Sequence, residues 1–275
     1  MAPETQTVSP ETLASLEKIK KYDRSFFGHP LGLLILSMNE IWERFSFYGM
    51  KAILIYFMIA PVENGGMGMP HLEAASVFGL YSCVSGLMIL PGGWISDIIM
   101  GQRRALFWGG VIILVGHLSM ALPHVWLFYL GMGLIILGTA LLKPSSAGMV
   151  VKLYPPGDPR QDAGYTIYYM CINVGALLGA LVCGYLGQNV SWHLGFGAAA
   201  VGMFLGIVVY RVGYRFIGDI GHLTQEELEP AYRRQNMKRF LVGICIVGAV
   251  VSALVLCNTT GLYPFTFAEL NHAIG

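Results

Sequence analysis

Long apolar runs alternate with short polar or turn-rich breaks along the whole chain. Seven runs stand out, at about Leu31–Ala60, Leu72–Met100, Ala105–Leu122, Val125–Ala147, Ala163–Gly187, Trp192–Ile217 and Phe240–Cys257. Each approaches or exceeds the roughly 20 residues a helix needs to cross a bilayer, so the pattern predicts seven transmembrane helices. The breaks carry turn chemistry. Glu63-Asn64-Gly65-Gly66-Met67-Gly68-Met69-Pro70 reads as a tight turn after the first run. Pro91-Gly92-Gly93 falls inside the second run and predicts a bend there.

The first run departs from plain hydrophobicity in one place. Glu40, Glu43, Arg44, Phe47, Tyr48 and Lys51 recur at helical spacing and share one face of a helix. An ionised group at a bilayer centre costs roughly 2.5–3.5 kcal/mol, so several facing lipid would cost on the order of 10 kcal/mol. The stripe therefore faces partners or water, either as intramembrane ionisable residues with a function do or because Glu40 or Glu43 merely pairs with Arg44 to hold the helix in place.

Composition settles the class. Of 275 residues, 55% are hydrophobic and 12% charged, against about 25% charge in soluble domains, which identifies an all-α polytopic membrane protein. The 17 Lys and Arg are distributed unevenly. Arg44, Lys51 and Lys143 lie well inside proposed spans, whereas the others gather at Lys18 to Arg24, Arg103/Arg104, Lys152/Arg160, Arg211/Arg215 and Arg233 to Arg239. The alternate loops, Pro61 to His71, Pro123/His124 and Gln188 to His193, carry none, so the positive-inside rule predicts a cytoplasmic N-terminus. A polar leader of about 30 residues precedes an apolar run too long for a signal peptide, and the first span is expected to remain as an anchor. The five cysteines lie in apolar runs without metal-ligand spacing and read as packing residues. No nucleophile–base set, metal spacing, phosphate loop or nucleic-acid signature appears, which argues against an enzyme.

Further polar positions carry two readings each. Asp97 before Gly101-Gln102-Arg103-Arg104 puts a carboxylate and an arginine pair at adjoining helix ends, either a gate or brace or an ordinary solvated loop. His117 is the titratable group of the third run, a packing residue or a proton carrier. Lys143, before Pro144, either snorkels to the interface or points inward to pair with Glu40 or Glu43. Asn173, on a helix bearing Tyr165, Tyr168 and Tyr169, suits either a peptide-like ligand or contact between helices. Gly175-Ala176-Leu177-Leu178-Gly179 and Gly202-Met203-Phe204-Leu205-Gly206 have the small-residue spacing of close helix packing.

These motifs, in this order, resemble one family. Glu40-x-x-Glu43-Arg44-Phe45-x-x-Tyr48-Gly49, then Gly92-Gly93-Trp94-Ile95-Ser96-Asp97 with Gly101-Gln102-Arg103-Arg104, then Lys143-Pro144, and finally Gly157-Asp158-Pro159-Arg160 through Tyr168-Tyr169-Met170-Cys171-Ile172-Asn173-Val174-Gly175, are similar to the signatures of the proton-dependent oligopeptide transporter (POT/PTR) family of the major facilitator superfamily. The resemblance covers about residues 30 to 217. Four positions depart from it: Phe47 stands where a second tyrosine is usual, Lys51 where arginine is common, Ile98 where an arginine often follows the loop aspartate, and Ser145 where asparagine is frequent. Lys51 keeps the charge but not the bidentate fork of arginine.

The resemblance implies an N-terminal six-helix bundle of a major-facilitator fold plus one additional transmembrane helix. On that basis residues 1–28 are a cytoplasmic tail, 29–217 the bundle, 218–238 a cytoplasmic linker that opens a short polar helix at Thr224, and 239–275 the additional helix with a trailing segment. It implies symport of di- and tripeptides with protons in the plasma (inner) membrane of a bacterium. No cofactor is expected beyond the coupling proton, and no nucleic acid. Glu40, Glu43, Arg44 and Lys143 would couple protons, while Tyr48, Lys51, Tyr81, Lys143 and Asn173 would contact the peptide. Asp97, Arg103 and Arg104 would form the gate. Alternating access needs a second six-helix bundle or a partner chain, so this half is not expected to complete a cycle alone. Two other functions fit the same pattern: a nitrate or sugar porter of the same superfamily, or a non-transporting half-bundle serving as an assembly or regulatory subunit.

Overall fold

The computed structural model describes residues 14, 17, 18, 20–223 and 228–259, the side chains of residues 244 and 246–259 excepted. Most of the expected tail, the stretch opened by Thr224 and the expected trailing segment lie outside the described residues. The chain divides into two compact units, Met1–Thr224 and Gln225–Gly275.

Within the first unit, helices α1 (Leu31–Ile59), α2 (His71–Leu87), α3 (Ile89–Ile95), α4 (Gln102–Met120), α5 (Val125–Lys152), α6 (Arg160–Asn189) and α7 (Trp192–Ile217) follow the apolar runs. Prolines and glycines punctuate them. Pro30, Pro70 and Pro159 immediately precede the first residues of α1, α2 and α6, and Gly65 and Gly68 take left-handed φ values of 73° and 66° in the turn between α1 and α2. The second run breaks where its proline requires. Pro91 has no amide to bond the carbonyl four residues back at Leu87, and the helix ends at Leu87, resumes at Ile89, and widens into a π-helical turn over Ser96–Met100. Gly101, at φ 78°, ends it.

Four helical stretches, His71–Met100, Val125–Lys152, Arg160–Asn189 and Trp192–Ile217, are long and apolar enough to cross a membrane by length and composition. The charged stripe makes α1 an exception in composition. In the second unit, helix α8 (Pro230–Thr259) begins ten residues before the expected Phe240, so the last part of the 218–238 linker is helical. Proline suits a first helical position because its missing amide would be unpaired there anyway.

α1 is the spine of the first unit, packed mainly against α6 and α7, while α4 packs against α5 and α7. Missing side chains set those approaches. A Cβ on Gly175 would strike the Ile41 carbonyl and lie 2.9 Å from Arg44 Cβ, and one on Gly179 would lie 2.8 Å from Phe45 Cα. On the other flank, a Cβ on Gly202 would run into the Phe45 ring, and one on Gly206 would sit 3.1 Å from Trp42 Cβ. Both small-residue motifs therefore seat α1, as their spacing predicts. Met50, Ile53, Leu54 and Met58 of α1 are fully buried with Phe196 and Met203 of α7. Of the cysteines, Cys183 packs in this core against Gly49, whereas Cys83 and Cys245 are exposed rather than packed.

Candidate functional site

The α6 and α7 glycines hold main chain against α1 at the level of its charges, and the charges are accordingly dry. Glu40, Glu43 and Arg44 are 1%, 0% and 2% exposed. Arg44 Nε donates to Glu43 Oε2 and lies 3.2 Å from Glu40 Oε1, so one guanidinium edge serves two carboxylates. The second oxygen of Glu40 is held differently. Ser146 Oγ of α5 donates to it at 3.1 Å and the Tyr168 hydroxyl of α6 at 2.7 Å, with the two hydroxyl oxygens 2.8 Å apart. Three helices thus converge on one carboxylate. Glu43 Oε1 and Arg44 Nη2 have no hydrogen-bond partner among the described residues.

The expected contact of Lys143 with Glu40 or Glu43 is not formed. Arg44 and the two hydroxyls occupy the Glu40 oxygens, and Lys143 stands exposed on α5, its charge acting on Glu43 and Lys51 only through space. Further along the stripe the Arg44 guanidinium lies 5.2 Å from the Phe47 ring centre and 5.9 Å from that of Tyr48, which is 40% exposed. Lys51 enters a slot between α1 and α2. Its ammonium donates to Ser82 Oγ at 3.2 Å and lies 5.5 Å from the Phe47 ring and 5.0 Å from that of Phe78. At 1.5 Å per residue, Glu40 and Lys51 are about 16 Å apart along α1, so the buried charges and the open cation are separate stations.

Tyr81 belongs with the first station. It is 2% exposed, its hydroxyl has no partner among the described residues, and it is in electrostatic reach of both Glu43 and Arg44. Asn173 faces outward on α6, its amide nitrogen turned back to the Tyr169 carbonyl at 3.1 Å. His117 is fully buried with neither ring nitrogen bonded among the described residues.

At the proposed brace, Asp97 meets neither arginine. It accepts from Gln102 Nε2 at 2.8 Å, while Arg103 turns away to the end of α7, donating to the Gly218 and Tyr214 carbonyls with its guanidinium 4.2 Å from the Tyr214 ring centre. Tyr210 closes the contact by donating to the Arg103 carbonyl at 3.2 Å. Arg103 therefore ties the start of α4 to the end of α7, and Arg104 is exposed.

Ser146, Tyr168, Ser82 and Phe78 were not singled out as site residues by the sequence. Their signal was faint: a serine pair in an apolar helix, and the middle member of a tyrosine series. A second polar knot, at Arg160, is also new. Its guanidinium pairs with Asp23 at 3.1 Å and Asp158 at 2.6 Å and donates to the Gly28 carbonyl at 3.0 Å, strapping the segment before α1 to the loop before α6. His29 Nδ1 lies 2.9 Å from the Tyr154 hydroxyl beside it, and burial pushes that phenol up to about 12.

Comparison with known proteins supplies the family. Residues 103–231 match the PTR2 model of the POT family. An uncharacterized transporter, YclF, of Bacillus subtilis is 46% identical over 92% of the chain and 50% of its own length. A di-/tripeptide transporter of Lactococcus lactis is 38% identical over 87% of the chain and 48% of its own length. A crystal structure of a mutant peptide transporter POT in complex with alafosfalin superposes with a TM-score of 0.78 at 42% identity, covering 90% of this chain and 50% of that one. The chain spans about half the length of the curated relatives it matches. The fold is that of the major facilitator superfamily, and the chain is an integral membrane protein. In sequence and in structure it matches the N-terminal half of the POT-family peptide transporters.

Proposed function

We propose that the chain supplies the N-terminal half of a proton-coupled symporter of di- and tripeptides, with its N-terminus on the cytoplasmic side of a bacterial plasma membrane. The observation that carries the proposal is the buried cluster on α1. Two dry carboxylates share one guanidinium, so with both ionised the cluster holds one uncompensated negative charge, and one proton makes it neutral. Low dielectric makes that single charge expensive enough to govern the conformation around it.

Glu43 is the better candidate for the proton. One of its oxygens has no partner among the described residues, whereas both oxygens of Glu40 are engaged. Protonation would weaken the hold of Glu43 on Arg44, which reaches along the stripe toward Phe47 and Tyr48. Lys51 and the exposed Lys143 would receive the peptide's carboxylate, with Tyr48 and Asn173 bonding its backbone. Tyr81 would tune the buried charges rather than touch the peptide in this arrangement. The peptide's amino group and the opposite wall of the cavity fall to a second bundle. Di-/tripeptide transport by the Lactococcus relative supports the substrate class.

The test is Glu43→Gln in the assembled transporter reconstituted into liposomes. Peptide accumulation driven by an inward proton gradient should be lost while counterflow exchange of peptide persists. Full gradient-driven accumulation by the variant would refute the proton role.

A further inference from the structure

The outer face of α7 ends in a group of cations that join no ion pair among the described residues. Val201, Phe204 and Val208 are exposed at helical spacing, and Arg211 and Arg215 continue the same stripe into the last turns of the helix. The two arginines stand one helical turn apart, about 6 Å along the axis. Aromatic rings fix them both. The Arg211 guanidinium lies 5.1 Å from the Tyr214 ring centre and that of Arg215 lies 4.6 Å from Phe216. Phe216 in turn receives Tyr22 edge-on at 5.1 Å, and Lys21 lies 5.9 Å from the Tyr22 ring.

None of the ion pairs among the described residues includes Lys21, Arg211 or Arg215. Of the acidic residues beside these elements, Asp23 pairs with Arg160 and Asp219 with Lys18. An exposed apolar stripe running into two guanidinium groups that lie over aromatic rings and join no ion pair among the described residues has the order of an acyl chain followed by its phosphate. The ring contacts restrict the planar forks, which match a phosphodiester bidentately.

We infer that the end of α7, through Arg211 and Arg215 with Lys21 beside them, binds the headgroup of an anionic phospholipid whose chain lies along Val208 and Phe204. Each cation near a charged membrane surface contributes about a fivefold preference, hence roughly 30-fold for the arginine pair. The site is distinct from the charges of α1 and needs no substrate.

Native mass spectrometry of the purified chain with dioleoyl-phosphatidylglycerol and dioleoyl-phosphatidylcholine tests this directly. The wild type should retain the anionic lipid preferentially. Arg211→Gln with Arg215→Gln should lose most of that preference, and Lys152→Gln, which removes an exposed cation elsewhere, should keep it. Arg211→Lys with Arg215→Lys, which preserves charge but not the fork, should fall between. Competition by millimolar inorganic phosphate as effective as the lipid would place the affinity in a free-phosphate site and overturn the lipid assignment. Equal loss in the Lys152 variant, or none in the double glutamine variant, would overturn the site.

Discussion

Tyr168→Phe isolates one hydrogen bond in the buried cluster. The substitution keeps the ring, so packing at this 3% exposed position is preserved and no cavity opens. It removes the 2.7 Å donor to Glu40 Oε2 and leaves Ser146, at 3.1 Å, as the hydroxyl on that oxygen. A neutral side-chain hydrogen bond between membrane helices averages about 0.6 kcal/mol, whereas one to a charged group contributes about 1.5–3 kcal/mol. Glu40 is ion-paired with Arg44, so the charged case governs, and the loss should reach about 1.5–2 kcal/mol, more than tenfold in the unfolding constant. Ser146→Ala should cost about 1 kcal/mol. Because both hydroxyls serve one oxygen, the double variant should cost more than the sum. Reversible unfolding of the purified chain in mixed micelles measures all three. A Tyr168→Phe effect below about 0.3 kcal/mol, or strict additivity, would show that Glu40 does not depend on these donors and refute the arrangement.

Other substitutions address the remaining contacts. Gly179→Leu should destabilise by about 3 kcal/mol or more, since its side chain meets Phe45 main chain, whereas Gly133→Ala, with nothing within 4 Å, should stabilise α5 by about 0.5–1 kcal/mol; thermal denaturation reads both. Arg160→Gln should release residues 20–29 to faster amide exchange. Arg160 hydrogen bonds hold the Asp158 carboxyl below the ordinary 3.8, so the strap's contribution is present above that pH and lost as pH falls below it. Protection of residues 20–29, measured relative to intrinsic exchange at each pH, that does not fall on acidification below pH about 3.8 in the wild type would contradict the pairing. Lys143→Ala in the assembled transporter should weaken peptide binding and uptake, and unchanged uptake would leave Lys143 a plain interfacial anchor.

The helices were legible because their signals are local. Apolar runs bounded by proline and glycine located each helix, although α5 runs past Ala147 to Lys152 and α8 begins at Pro230, and the i, i+3, i+4 spacing of Glu40, Glu43 and Arg44 alone required them to meet. The glycine pairs of α6 and α7 were equally readable, since a close approach needs absent side chains. Pairing across helices was less so. Lys143 has the right charge for Glu40, but two uncharged hydroxyls, Ser146 on α5 and Tyr168 on α6, took the position, and a hydroxyl in an apolar run raises no alarm in a sequence. Arg103 likewise had Asp97 six residues away and went instead to carbonyls more than a hundred residues distant at the end of α7. Arg160 reaches Asp23 over 137 residues, a separation at which no spacing rule operates.

The glycine seats on both flanks of α1 also have a mechanical consequence. Where backbone meets backbone with no side chain between, there is nothing compressible to absorb a slide or a roll. α1, α6 and α7 are locked as one stiff girder, and the buried charges ride inside it. The break at Met88 and the proline within α5 offer compliance instead. A charge change at the girder's centre would thus be spent in bending α2, α3 and α5 around it.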